Sequence, residues 1–407
     1  MTPRRWQPTT QQELQQGIDE GLLKETHYLE VKREVGDTDA KRKETARDLA
    51  SFAKHGGAVI IGVEEDKPNH RWVLTPQLLE GLVERLELIA ANRIDPPLYL
   101  RITEIPSTFN HLEGFLFVEV PPSTQAPHMV EGTYFGRGEK TRRRLSDPEV
   151  TALHQARTNL QAQAGVLLDH EIARNPIRDQ SRRCGGHLYL VAQPVNAPSR
   201  IARSSVRGNG DAVSKIIKDA EPGVPGRIAE HQPGVSFASV WVPRANGGAF
   251  CSSTLRNARS FSGGNERQEA SMVDIEFRED GGIRALIGGF TRRLHEIERT
   301  QEQFIFDGLA VAYSFRLIGW AAGVAAAHEY RGSWMFGLAA DGVHGRSAWR
   351  TDPWFAPPQF DAEEYRSITT ATTATINDRP HEIAEHLTGA LLHALDHYDA
   401  YEAHFTN

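Results

Sequence analysis

The chain reads as an α+β protein built from more than one domain, and three observations say so. Its 407 residues exceed one ordinary domain and favour two, or three. Short apolar runs of strand character, such as residues 58–63 (AVIIGV) and 115–120 (FLFVEV), alternate with stretches of helical spacing. Hydrophobic residues make up 39% and charged residues 24%, an ordinary balance for a folded chain.

In chain order, residues 1–22 are a polar, Gln-rich lead-in in which Leu14, Ile18 and Leu22 recur at helical spacing. Residues 23–160 form the first domain. Residues 26–32 (THYLEVK) alternate as a strand. Asp39 N-caps a helix whose apolar stripe is Ala46, Leu49, Ala50 and Ala53, and Gly56-Gly57 ends it. Residues 58–63 read as a buried central strand. A helix over 77–92 follows, then a strand over 115–120 closed by Pro121-Pro122. Ser146-Asp147-Pro148-Glu149 is a capping box with proline in the first turn, so a helix starts there. Residues 161–185 read as a linker because of the polar stretch ARNPIRDQSRRCGG. The second domain, 186–407, is again α+β. Strands are expected at 186–195, 236–243, 272–279 and 332–340, with a hairpin at Asp280-Gly281-Gly282. Helices are expected at 291–300, 303–329 and 380–402.

Residues 306–327 are long and apolar enough to cross a bilayer, but they contain Asp307 and Arg316. They read as a helix buried inside a domain. The N-terminus has no apolar signal segment, and two cysteines, Cys184 and Cys251, cannot make a disulfide framework. A cytoplasmic location is therefore expected. The net charge of −7 argues against a simple polycation, so local basic patches decide whether a phosphate backbone is met.

The chemistry-bearing pattern begins at Glu25-Thr-His-Tyr-Leu-Glu30-Val-Lys32. Glu30 and Lys32 share a strand face, whereas the direction of Glu25 depends on the turn before it. Glu64, Glu65 and Asp66 follow the central strand. If the two strands are neighbours, carboxylates converge, repel one another and invite a cation. Oxygen ligands select Mg²⁺ or Mn²⁺. Basic residues gather at Lys41, Arg42 and Lys43, and again at Arg137, Lys140, Arg142, Arg143 and Arg144. Tyr134 and Phe135 precede the second group, so stacking surface adjoins charge, as an RNA contact needs.

These pieces together resemble the Schlafen AlbA-2 domain. They are the Glu25–Glu30–Val–Lys32 strand, the helix ending Ala50-Ser-Phe52-Ala53-Lys-His-Gly56-Gly57, and Val59-Ile-Ile-Gly62-Val63 followed by acid. The segment Gly132-Thr-Tyr134-Phe135-Gly-Arg137-Gly and the capping box complete the set, which covers residues 12–157. The resemblance implies a mixed sheet with helices. It also implies a nuclease site in which Glu25, Glu30 and either Glu65 or Glu64 bind Mg²⁺ or Mn²⁺ and cut structured RNA, tRNA above all, with Lys32 meeting a phosphate. Three departures from the family pattern stand out: Val31 for phenylalanine, Lys54-His55 for Asn-Thr, and glutamate for aspartate as the third acid.

Other features carry less. His386, His393, His397 and His404 would line one face of a helix, but over a length of about 27 Å, too long for one ion. The chain has no Walker-type glycine loop and no nucleophile elbow. The leading expectation is a metal-dependent endoribonuclease, with a homodimer and a role in bacterial defence or stress as family-level extensions. Its rivals are a non-catalytic DNA- or RNA-binding regulator with a ligand-sensing C-terminal domain, and a sensor whose first domain serves only for dimerisation.

Overall fold

The protein, here a computed structural model, is described over residues 6–69, 71–138, 141–179, 182–195, 197–256, 259–293, 302–349 and 357–406. It is an α+β chain that divides into two compact units, Met1–Thr158 and Asn159–Asn407.

The first unit runs α1 (Gln11–Asp19), β1 (Leu29–Lys32), α2 (Asp39–Phe52), β2 (Gly57–Ile61), β3 (Val63–Asp66), β4 (Arg71–Leu74), β5 (Gln77–Leu78), α3 (Leu82–Asn92), β6 (Arg101–Pro106), β7 (Glu113–Val120), β8 (Met129–Val130), β9 (Thr133–Arg137) and β10 (Arg142–Arg144). A mixed sheet orders β1-β2-β7-β5, with β6 also on β7; β1 lies parallel to β2, and β2 antiparallel to β7. A smaller antiparallel sheet orders β10-β9-β8. The apolar run of β2 is buried at every residue because both faces of the sheet are covered. Val59 and Ile61 face Leu49 and Phe52 of α2 and Leu86 of α3. Ile60 faces the other way, with Val31 and Phe117, toward Leu14 of α1. Each such side chain contributes roughly 1.5–3 kcal/mol by leaving water.

Two glycines make the turns that position the site. Gly56, at φ +73°, ends α2, its N–H donating to Phe52 O at 2.8 Å. Gly62, at φ +97°, swings the chain from β2 into β3, where a Cβ would stand 2.8 Å from the Phe115 ring.

A long helix, α4 (Asp147–Ala173), starts in the first unit and ends in the second. The second unit continues β11 (Leu188–Pro194), α5 (Arg203–Val206), α6 (Asp211–Ala220), β12 (Val240–Arg244), β13 (Gly247–Cys251), β14 (Leu255–Arg256), β15 (Ser260–Phe261), α7 (Glu266–Ala270), β16 (Val273–Arg278), β17 (Ile283–Ile287), β18 (Thr291–Arg293), β19 (Gln303–Ile305), α8 (Asp307–Ala327), β20 (Ser333–Asp341), β21 (Glu364–Thr372), α9 (Thr373–Asp378) and α10 (Pro380–Ala394). A seven-stranded antiparallel sheet orders β12-β13-β16-β17-β11-β20-β21. Leu188, Leu190, Ile275 and Ala285 point to one face, into the core built on α8. Tyr189, Val191 and Leu286 point to the other, against Leu168 of α4.

α8 is the apolar segment singled out in the sequence. It is long and apolar enough to cross a membrane, yet it is buried in this core. Its charges are held inside: Arg316 donates to Glu221 at 2.9 Å, and Asp307 bonds to His397 at 2.6 Å.

Several boundaries differ from expectation. Thr38, not Asp39, caps α2, its side chain accepting from Lys41 N–H. Residues 161–173, expected as the start of a linker, continue α4, which is anchored by buried Ala164, Leu168 and Glu171. The expected helix over 77–92 is shortened by strand β5 and by Gly81 at φ +68°. Residues 291–293 are a strand, not a helix, because they pair with 303–305, so α8 begins only at Asp307; residues 294–300 lie outside the described residues. The expected strand over 236–243 is β12, Val240–Arg244, after a short 3-10 turn. α10 stops at Ala394, so the four histidines do not share a helix. His393 stacks on Tyr398 instead, with ring centroids 4.1 Å apart.

Candidate functional site

The first unit gathers its charged residues where β1, α2 and β9 meet. The chain enters β1 through a turn in which Thr26 N–H donates to Leu29 O at 3.0 Å. Arg137, at the end of β9, closes that turn: its guanidinium donates to Thr26 O and Leu29 O and pairs with Glu30. The same guanidinium lies 4.6 Å over the Phe52 ring. Arg137 was expected to meet a phosphate; its side chain is instead 2% exposed and its donors are turned inward.

Strand alternation puts Lys32 on the face of Glu30, toward α2. There Lys32 Nζ lies 2.6 Å from Asp48, a buried carboxylate that also pairs with Arg142 of β10. Asp48 did not stand out in the sequence. Only the packing of β9 and β10 on α2 makes it the meeting point of two cations that lie far apart in the chain.

Glu25 sits beside Glu30 and Glu65. Its carboxyl is pushed above the usual range, first by burial and then by the charges of Glu30 and Glu65, against the pull of Arg137 and Lys32. Glu64 points elsewhere, pairing with Arg33 at the surface at 3.3 Å. Adjacent residues on β3 face opposite ways, and this separates the two acids that the sequence left as alternatives.

Hard divalent cations need several oxygens around one point. Among the described residues, no three His, Cys, Asp or Glu side chains are grouped to hold an ion. Glu30 already gives an oxygen to Arg137. As arranged among the described residues, the carboxylates do not make the Mg²⁺ or Mn²⁺ ligand set that the resemblance implies.

Most of the basic residues are paired internally. Lys41 bonds Glu34, and Lys43 bridges Asp39 at 2.9 Å and Glu131 at 2.7 Å. Arg143 is bound by both oxygens of Glu149, the acid of the capping box, whose other bonds run to Ser146 N–H and Oγ at 2.9 Å. Arg42 is half-buried on α2, with its Nε making no hydrogen bond. Arg144 is exposed and makes no ion pair among the described residues. Lys140 lies outside the described residues. Tyr134 packs edge-on to His154 at 5.9 Å, and Phe135 lies under Arg47 at 5.8 Å.

Beside this network lies a group of rings whose grouping has no signature in the sequence. His27 meets Tyr28 edge-on at 4.9 Å and His55 at 5.4 Å. Tyr28 is 45% exposed, and Lys54 next to His55 is exposed. His27 Nδ1 bonds Gly138 O at 3.0 Å. Parallel pairing of β1 with β2 brings the two histidines together, with Ala58 N–H donating to Tyr28 O at 2.8 Å. The pKa of His55 is lowered, first by burial, then by the charges of Lys54 and His27.

The first unit is thus a mixed sheet flanked by helices, with acids and bases interleaved along one strand and its helix. Residues 25–146 match the family described as Schlafen, AlbA_2, and form a domain of that family. No curated protein gives a significant match to the chain. The crystal structure of the DIP2311 protein from Corynebacterium diphtheriae is similar over 50% of this chain and 36% of its own, at 15% identity and a TM-score of 0.23. The match thus spans about a third of that structure, and the likeness is too slight to bear on fold or function.

Proposed function

We propose that the first unit binds nucleic acid, RNA in preference to DNA, on the surface where Tyr28, His27 and His55 adjoin Lys54. The observation that carries this reading is that ring cluster. Unstacked bases gain about 1–3 kcal/mol each on exposed aromatic faces, and a neighbouring cation meets the phosphate. A family domain with a nucleic-acid-related function supports it. The test is fluorescence anisotropy with labelled tRNA, single-stranded RNA and duplex DNA across a salt series. RNA binding that weakens with salt, and weakens fivefold or more in Tyr28→Ala, is expected. No binding to any of the three at low salt overturns the reading and favours a sensor whose first unit serves in dimerisation.

A second reading, a cytoplasmic endoribonuclease cleaving structured RNA such as tRNA, with Mg²⁺ or Mn²⁺ as cofactor, is favoured by one observation. Glu25 lies near enough to Glu30 and Glu65 for their charges to raise its pKa, although the three are not grouped to hold an ion as they stand. A homodimer clamping a duplex and a role in bacterial defence belong to this reading. Incubation of tRNA with the wild type and with Glu65→Gln, with and without Mn²⁺, decides it. Cleavage lost in the variant supports it. Intact tRNA with the wild type, or equal cleavage by both, leaves a binding domain.

A further inference from the structure

In the second unit, alternation along β16 sends Val273, Ile275 and Phe277 into the core, and Asp274, Glu276 and Arg278 to the opposite face. That polar face is not left to water. Asp274 is 0% and Glu276 2% exposed, beneath the end of α4 and the loop that carries Arg259. A buried charged face is expensive to build and is kept where it does something.

Its cations outnumber its anions. Arg174, Arg178, Arg244, Arg259 and Arg278 line a recess of about 550 Å³. Arg284 lines an adjoining recess of about 610 Å³. Against them stand Glu171, Asp274, Glu276 and, 3.8 Å from Arg278 and half-exposed, Asp280. Arg244 pairs with Asp274 at 2.6 Å, and Arg174 with Glu276 at 2.5 Å. Arg259, 6% exposed, pairs with Glu171, yet its Nη1 makes no hydrogen bond and Arg244 Nε makes none either. Arg284 has no ion-pair partner among the described residues and is held by Ala192 O, Ile283 O and Gln193 Oε1. A buried guanidinium donor without an acceptor costs a few kcal/mol unless something supplies the oxygen.

The two recesses differ in character. The larger is walled by Ala162, Val166 and Leu167 of α4 and Met335 of β20, with the Gln163 and Gln193 amides at hand. Its volume is that of a small-molecule site. The other is mainly guanidinium. Arg174 and Arg278 line both and stand at their junction. A ligand that satisfies the pair has a flat, largely apolar body with hydrogen-bonding edges, joined to an oxyanion that accepts from several arginines.

We propose that the second unit binds a nucleoside phosphate, its base under α4 and its phosphates among Arg174, Arg178, Arg244, Arg259 and Arg278. Guanidinium forks match phosphate oxygens two at a time. The site shares no residue with the first unit's ring cluster and stands or falls without it.

Isothermal titration calorimetry and thermal melting of the full chain test the proposal, with ATP, GTP, adenosine and sodium tripolyphosphate as separate probes. At least one nucleotide is expected to bind and to raise the melting temperature with concentration. It should exceed both adenosine and tripolyphosphate by tenfold or more. Arg178 is exposed and Val166 is 53% exposed, so Arg178→Glu and Val166→Trp leave the ligand-free melting temperature in place. Each should weaken the nucleotide tenfold or more, the first by charge and the second by filling the base recess. No binding of either nucleotide to the folded chain overturns the proposal. So does a nucleotide that binds both variants as well as the wild type, which places it elsewhere. Tripolyphosphate binding as tightly as ATP, and indifferent to Val166→Trp, also overturns it.

Discussion

Arg137 pairs with Glu30 from inside the first unit, its guanidinium 4.6 Å over the Phe52 ring, with Nε and Nη2 also donating to the Thr26 and Leu29 carbonyls. One side chain thus ties β9 to the start of β1 and neutralises an acid of the candidate site. Glu30 is therefore a structural residue as well as a candidate catalytic one.

Its removal should show this. Glu30→Ala removes the carboxylate partner of a guanidinium whose side chain is 2% exposed. The expected loss is about 3 kcal/mol in urea unfolding, as for breaking a buried ion pair from one side. Glu30→Gln keeps an acceptor and should lose less than half as much. Equal losses would mean that an acceptor at position 30 is not what holds Arg137. Lost activity in Glu30→Ala is thus ambiguous, whereas exposed Glu65 permits a cleaner substitution.

The three arginines of β10 should behave differently in nucleic-acid binding. Arg142 is engaged by Asp48 and Arg143 by Glu149, while exposed Arg144 makes no ion pair among the described residues. Arg144→Ala should weaken RNA binding and lower the slope of log K against log salt by about 0.7–0.9, the loss of one phosphate contact. Arg143→Ala should change the slope by much less than that. An unchanged slope in Arg144→Ala would remove β10 from the interface.

How much of this was legible follows from what local sequence controls. The buried run of β2, the αL glycine after α2 and the Ser146–Glu149 capping box are decided within a few residues, and all appear. The hairpin at Gly281, φ +83°, was legible for the same reason. What was missed depends on distant partners. Asp48 reads as a surface helix residue until Lys32 and Arg142 are brought to it. His27 and His55 become neighbours only through parallel pairing of β1 with β2. The alternation of β16 marks a strand, but the burial of its polar face is not legible, because residues 161–173 read as a linker and not as the end of the helix that covers it.

Glu25 sets a pH dependence whose sign can be worked out. Burial, then Glu30 and Glu65, raise its native pKa above the ordinary 4.5. Between that value and the raised one, the folded state binds more protons than the unfolded state. Its contribution to stability is present below 4.5 and is lost as pH rises through the native pKa. Glu25→Gln should therefore flatten the fall in melting temperature over that window and melt higher than wild type at pH 7. A variant that tracks the wild type throughout would show that Glu25 is relaxed in solvent.

The buried network of the second unit yields the last prediction. Arg259 holds Glu171, 1% exposed, and lies 3.5 Å from Asp274, 0% exposed. Burial alone would push this guanidinium down, but the two carboxylates outweigh it and hold it above its usual range. Arg259→Ala leaves both acids in the interior without that partner, and the expected loss in urea unfolding is about 3–5 kcal/mol at pH 8. Asp274, whose carboxyl pKa burial already raises, takes up a proton more readily in the folded state than in the unfolded one, so the deficit should shrink at pH 5. Arg259 also sits at φ +57°, where glycine is at ease and alanine is not. Arg259→Gly, which removes the same charge, should therefore be about 1 kcal/mol less damaging than Arg259→Ala. A deficit equal at both pH values would mean that Arg174, Arg244 and Arg278 suffice to hold the acids, and that Arg259 is there for a ligand alone.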